Sequence, residues 1–333
     1  MNLKRFVVLG SFSLLGAVLA AYLGFVTTPP SKLKAEILEP LDSIEERQEK
    51  QNRSLSAATP PTPNAPLFPP DLEADLGRLR EIQILETKLS AIVGENNPNV
   101  GIYVKDLETG VEYGLNEDEF FPPASVSKVP YGILTLKYID EGRLSYDTRL
   151  TLGQRHKFYT TDPLYEFPNG STWAVHDLLR LLLVDSDNVP MNMLEEYFGG
   201  VDSFNSQIEE MGIVDFTRFP HQATPRAVGE TFEKIYTGEL LSDESNQVLR
   251  NHLSLYKVFS GDRLRLGIDR VAGRNTPVIH KIGNLNGTYH DAGYVLGPQK
   301  DFIVVVLNKN RTPNQAITEI TAIAAVTYEH FNP

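Results

Sequence analysis

Strand-like segments stand near both ends of the foldable part of this chain, and helix-like segments fill the middle. NVGIYVKDLETGVEYGLN, residues 99–116, reads as two strands around a turn at Glu108–Gly110. PVIHKIGN, HDAGYVL and FIVVVLN, within residues 277–308, read as three more. An isolated hairpin is marginal in water, so strands need partners. The early and late groups fit one sheet completed by distant segments, with the intervening helical segments as an insertion. LEADLGRLREIQILETKLSAIV, residues 72–93, and a last segment over about 314–330 have helical spacing, and both are expected to pack on that sheet. The fold class expected is mixed α/β, in the α+β sense, with a helical insertion.

The first 70 residues read differently. Phe6 to Val26 is an uncharged apolar run long enough to cross a bilayer as a helix. Lys4 and Arg5 precede it and favour a cytoplasmic N-terminus. The competing reading is a signal peptide, with Ala20 as a small residue before a cut. On either reading the rest of the chain lies outside the cytoplasm. Residues 27–70 hold nine of the 22 prolines and the charged run EERQEKQNR, which predicts a disordered linker. The expected organisation is an anchor or signal over 1–26, a linker over 27–70 and one folded domain over 71–333. Net charge is −12 and no basic run occurs, which argues against phosphate neutralisation on nucleic acid. With no cysteine, disulfides, thiolate metal sites and a cysteine nucleophile are excluded.

The chemistry is sought first in PPASVSKVP, residues 122–130. Pro122 and Pro123 end an extended segment, and Ser125 opens the helix that follows. Ser125 and Lys128, three apart, share a helix face. A hydroxyl needs a base to attack, and an enclosed lysine can serve once burial lowers its pKa. Alone the pair also fits a capping serine and a solvated lysine. Two further groups bear on the choice. Ser186, Asp187 and Asn188 follow the apolar run LLLVD and precede Pro190, so a helix breaks there. The bland reading is a cap or loop. Lys281 sits inside the β-branched run VIHKIGN, where a lysine can simply mark an edge strand. Gly283 after it permits close approach of another backbone.

SVSK, SDN and KIG, in that order, resemble the motifs Ser-x-x-Lys, Ser-Asp-Asn and Lys-Thr-Gly of the penicillin-recognising serine enzymes. YIDEGRLSYDTRLT, FPNGSTWAVHDLLRLLLVDSDN, ATPRAVGETFEKI and HDAGYVL are similar to the class A β-lactamase branch, and the resemblance covers about residues 72–330. It implies an antiparallel sheet with terminal helices packed on it and an all-helical subdomain. It also implies roles. Ser125 would form an acyl-enzyme, with Lys128 accepting its proton. Ser186 would pass a proton to the leaving nitrogen. Asn188 would hold the substrate amide, and Asp187 would be structural. Lys281 would attract the substrate carboxylate. The backbone N–H groups of Ser125 and Asn284, beside Gly283, would form the oxyanion hole. No cofactor, metal or nucleic acid is implied. The partner would be a β-lactam or the D-alanyl-D-alanine end of a cell-wall peptide, and the chain is expected to be monomeric and membrane-held through its N-terminal segment.

Two departures stand out. The family's long loop carries a glutamate that activates the deacylating water. Here the corresponding MGIVDFTRFPHQATP, residues 211–225, is short and has no glutamate. Asp215 and His221 are its only candidate bases, and each reads more simply as a turn or surface residue. The second departure is Ile282, which replaces a hydroxyl-bearing residue that binds the substrate carboxylate. Asn284, Asn286 or Thr288 could substitute. The expectation is a chain that acylates and deacylates slowly. The alternatives are a tethered binding domain that has lost catalysis, or a D,D-carboxypeptidase or transpeptidase.

Overall fold

The computed structural model describes residues 70–255 and 262–333. The expected anchor Phe6–Val26, and the linker up to residue 69, lie outside the described residues. Among the described residues no helix is long and apolar enough to cross a membrane.

The folded body opens with α1 (Pro70–Val93), followed by β1 (Val100–Asp106) and β2 (Glu112–Leu115). The β1–β2 turn forms where the sequence placed it. Asp106 Oδ1 accepts the N–H groups of Glu108 and Thr109, and Gly110 takes a positive φ. After a 3-10 turn (Ala124–Ser127) come α2 (Lys128–Asp140), β3 (Arg149–Thr151), β4 (Thr172–Ala174) and α3 (Val175–Leu183). Next are α4 (Asn188–Tyr197), α5 (Val201–Glu210), β5 (Phe216–Thr217), β6 (Gln222–Ala223), α6 (Pro225–Thr237) and α7 (Asp243–Ser254). The chain closes with α8 (Arg263–Ala272), β7 (Val278–Leu285), β8 (Thr288–Val295), β9 (Phe302–Asn308) and α9 (Pro313–Phe331).

Early and late strands do meet. The main sheet has the order β2-β1-β9-β8-β7, and every neighbouring pair is antiparallel. The long-range seam is β1 on β9, in register from Val100 opposite Asn308 to Asp106 opposite Phe302. Side chains alternate across it. Ile102 and Val104 face α1, α8 and α9, in a core shared with Leu89, Ile320 and Ile323. Tyr103 faces the helical subdomain, in a core shared with Ile133, Leu182 and Phe232. The strand periodicity thus sorts one sheet between two apolar layers.

Local signals account for the helix ends. Thr224 Oγ1 caps α6 by accepting from Ala227 N at 3.1 Å, with Pro225 in the first turn. Asp187 caps α4 by accepting from Val189 N at 2.8 Å. Gly199 and Gly200, both at positive φ, end the segment after α4. One detail differs from the sequence reading. The helix expected to open at Ser125 begins as a 3-10 turn, and the α-helix proper starts at Lys128. Ala124 at φ 48 prevents a regular α start before Ser125.

A buried ion cluster ties α8 to the sheet. His280 Nδ1 lies 2.7 Å from Asp291 Oδ1, and its Nε2 lies 3.2 Å from Asp262 Oδ1. Asp291 Oδ2 accepts the N–H groups of Arg263 and Leu264 at the start of α8. Burial opposes charge on His280, but Asp291 and Asp262 outweigh it and push the imidazole up to about 10. A raised folded value means protons bound on folding, so this stabilisation is complete below the unfolded value of about 6.5 and fades as pH climbs toward about 10. The expected outcome is a melting-temperature gap between wild type and His280→Asn that is widest below pH 6.5 and narrows by pH 10. A gap independent of pH would show that His280 is uncharged in the fold.

Candidate active site

The site forms where the 3-10 turn, the α3–α4 break and the end of β7 converge. Lys128 Nζ lies 2.8 Å from Ser125 Oγ and 2.8 Å from Asn188 Oδ1. Lys281 Nζ lies 3.0 Å from Ser186 Oγ and 3.1 Å from the Ile282 carbonyl. Side chains 60 and 95 residues apart in sequence are therefore in direct contact.

Gly283 shows how β7 reaches the turn. A Cβ placed there would meet the Pro123 carbonyl oxygen at 2.9 Å and Ala124 Cβ at 3.1 Å. The absence of a side chain lets the strand lie against the residues just before Ser125. The turn is held from below as well. His290 Nε2 donates to the Pro122 carbonyl at 2.6 Å, and its Nδ1 accepts from Asn308 N at 3.0 Å. Burial lowers the His290 pKa to about 4, so the neutral ring carries one donor and one acceptor, as these two bonds require.

Two buried lysines set the electrostatics. Lys128 is 1% exposed and Lys281 0%. Burial brings Lys128 down to about 8; Asp162 and Asp187 oppose the fall and Arg218 adds to it. Burial also pushes Lys281 well below its ordinary value, and the Lys128 charge pushes it further, against Asp291. A charged Lys128 therefore disfavours a second ammonium at Lys281. Burial raises Asp187 to about 6. Its two oxygens accept from Val189 N and Leu164 N at 2.8 Å each, which clips the loop before β4 to the start of α4. Ser186 takes a φ of 59°, an uncommon backbone for a non-glycine residue, which turns its hydroxyl toward Lys281.

The short loop folds as a hairpin, β5 opposite β6, and Ala223 bridges it to Phe121 by two hydrogen bonds of 2.9 Å. Arg218 pins its tip to Glu195, with Nε 3.0 Å from Oε2, and Tyr131 Oη bonds the same carboxylate. Asp215 is an exposed turn residue. His221 differs from the surface reading. It is partly buried, feels the charges of Arg218 and Lys128, and is pushed down to about 4 chiefly by burial. Its Nδ1 is sealed from solvent without a hydrogen-bond partner. Ile282 is 3% exposed and offers no polar group. Of its suggested substitutes, Thr288 is buried, Asn286 is exposed, and Asn284 Oδ1 accepts from Arg263 Nη2 at 2.8 Å.

Sequence reasoning missed Asp162, Arg263, Arg218 and His290. Asp162 and Arg218 stand in loops without periodicity. Arg263 follows a capping aspartate, and nothing local tells such an arginine from a solvated one. Asp262, His280 and Asp291 bring ligand-type atoms within 4.8 Å of one another. Both imidazole nitrogens already face carboxylates there, so the arrangement is an ion cluster.

Paired serine–lysine contacts at the seam of an antiparallel sheet and a helical subdomain define the class, that of the penicillin-recognising serine enzymes. A family model described as the Beta-lactamase enzyme family matches residues 84–331. The chain belongs to that family. It is 24% identical to Beta-lactamase VEB-1 of Pseudomonas aeruginosa, over 74% of this chain and 90% of the relative. It is also 24% identical to a Beta-lactamase of Streptomyces lavendulae, over 71% and 82%. Its fold matches the solved structure of PBP-A at a TM-score of 0.68, with 24% identity over 75% of this chain and 96% of that one. A variant of PBP-A solved as an acyl-enzyme complex with penicillin-G matches at 0.67, with 24% identity over 75% and 97%.

Gly283→Ala tests the close approach. The new methyl would meet the Pro123 carbonyl at 2.9 Å, so the turn before Ser125 must yield, and misplacement approaching about 1 Å costs up to about a hundredfold in rate. The expected outcome is a well-folded protein, by circular dichroism, whose acylation by penicillin slows about that much. Wild-type acylation would mean that the contact does not position Ser125.

Proposed function

We infer that this chain is an exported serine hydrolase that is acylated at Ser125 by β-lactams and releases the acyl group slowly. The observation that carries the reading is the buried Lys128 amine, 2.8 Å from Ser125 Oγ. With a pKa near 8, roughly a tenth of Lys128 is neutral at pH 7, enough to take the hydroxyl proton. Substrate strengthens the effect. A bound carboxylate favours the charged form of Lys281, and a positive charge there makes the neutral form of Lys128 easier to reach. Ser186, 3.0 Å from Lys281 Nζ, is the route by which a proton reaches the leaving nitrogen. Arg263, buried under Asn284, adds positive potential at the end of β7 where Ile282 supplies no hydroxyl. The missing hydrogen bond is worth about 1.5–3 kcal/mol, or roughly ten- to a hundredfold in binding.

Slow release follows from the hairpin. No glutamate stands in residues 211–225, Asp215 points to solvent, and the His221 imidazole has one nitrogen sealed off. A positioned general base contributes about 10²–10⁴-fold, and the acyl-enzyme lacks that help. The extracytoplasmic site and the tether rest on the apolar run Phe6–Val26 and on Lys4 and Arg5 before it.

The full-length protein mixed with a fluorescent penicillin is expected to become covalently labelled and to stay labelled through many minutes. Ser125→Ala should abolish labelling. Rapid turnover would refute the slow release, and no labelling by any β-lactam or D-alanyl peptide would favour a binding domain. Across pH, the labelling rate is expected to rise tenfold per unit up to about pH 8 and then level off. A flat profile would exclude Lys128 as the base.

A further inference from the structure

Asp162 lies in the loop before β4, outside the three motifs, and is 7% exposed. Its Oδ1 accepts from Asn188 Nδ2 at 2.9 Å. Asn188 Oδ1 in turn accepts from Lys128 Nζ at 2.8 Å, and Lys128 Nζ lies 2.8 Å from Ser125 Oγ. The four side chains form one chain of contacts ending on the nucleophile. Asp162 Oδ2 is buried and has no hydrogen-bond partner. A buried carboxylate oxygen left unpaired is costly, so a purely structural role explains it poorly.

The chemistry of the ends fixes the middle. A carboxylate only accepts and an ammonium only donates, so the Asn188 amide can sit in one orientation alone. Its oxygen faces Lys128 and one N–H faces Asp162, which leaves the second N–H for a substrate carbonyl. Without Asp162 the amide could flip, and its NH₂ would then meet the lysine.

We propose that Asp162 is a positioning residue of the active site: it locks the Asn188 amide and, by its negative charge, holds the proton on Lys128 until substrate enters. The inference rests on the acylation reading given above. The charges that face Lys128 are Asp162, Asp187 and Arg218, with Lys281 and His221 in the same field. Asp162 is the foremost of the two carboxylates that favour the ammonium. Removing its charge leaves Asp187 alone to oppose burial and Arg218. The free amine is then reached at lower pH.

The test uses Asp162→Asn, Asp162→Ala and Asp162→Glu in the full chain, with two readouts. The first is the lysine Cε resonance of Lys128 followed by NMR against pH without substrate. Asp162→Asn and Asp162→Ala are expected to move its titration down by on the order of one pH unit, and Asp162→Glu to leave it near wild type. The second is the pH profile of penicillin labelling. Its acid limb should move down by the same amount in Asp162→Asn, which still accepts from Asn188. Asp162→Ala should in addition weaken the half-saturating penicillin concentration about tenfold, because the amide is released. An unmoved titration in the two neutral variants overturns the proposal, even if their melting temperatures fall. The NMR readout needs no acylation, so an unlabelled wild type would refute the proposed function while the role of Asp162 was still decided.

Discussion

The burial of Lys128 is the constraint on which the site depends. An exposed lysine keeps its proton at neutral pH and is useless to a neighbouring hydroxyl. Here the amine sits between a 3-10 turn and the start of α4, with 1% of its surface exposed. Burial lowers its pKa, and the carboxylates of Asp162 and Asp187 oppose that fall. The pKa of about 8 is the balance of the two. Lys281 repeats the arrangement against Ser186, and the charge of Lys128 adds to burial in depressing it. Neither could be so tuned on the surface, because water would screen both terms.

Holding that geometry requires backbone that sequence preference alone would not choose. Ala124, just before Ser125, and Ser186 both adopt positive φ. The surroundings enforce these conformations. His290 bonds the Pro122 carbonyl, Gly283 admits β7 against Pro123, and Asp187 clips Leu164 to the start of α4. The supports come from the sheet on one side and the helical subdomain on the other, so the cleft exists only when both layers are packed.

The hairpin over residues 211–225 is fastened to the elements around it. Its tip is pinned by Arg218 to Glu195, and Ala223 ties it to Phe121. It thus buttresses the segment leading to Ser125. It brings no carboxylate to the cleft, and the histidine it does bring is neutral and partly sealed. The loop is thus a structural support, and no glutamate occurs in residues 211–225.

Much of the fold was legible because it is written in local periodicity and punctuation. The continuous apolar, β-branched run FIVVVLN, the Thr224–Pro225 start of α6 and the glycines after α4 each act within a few residues. The motif residues Ser125, Lys128, Ser186, Asn188 and Lys281 were legible as types and spacings. The β5–β6 hairpin was not, since its strands are two residues long and carry no alternation. Asp162 and Arg263 were not, since a charged residue in a loop or at a helix start looks the same whether solvated or buried. The amino-acid order alone therefore settled which segments become strands and helices and which side chains are chemically able to act. Tertiary structure decided which charges lie side by side in a dry place, because the fields that tune Lys128 and Lys281 come from residues far away along the chain.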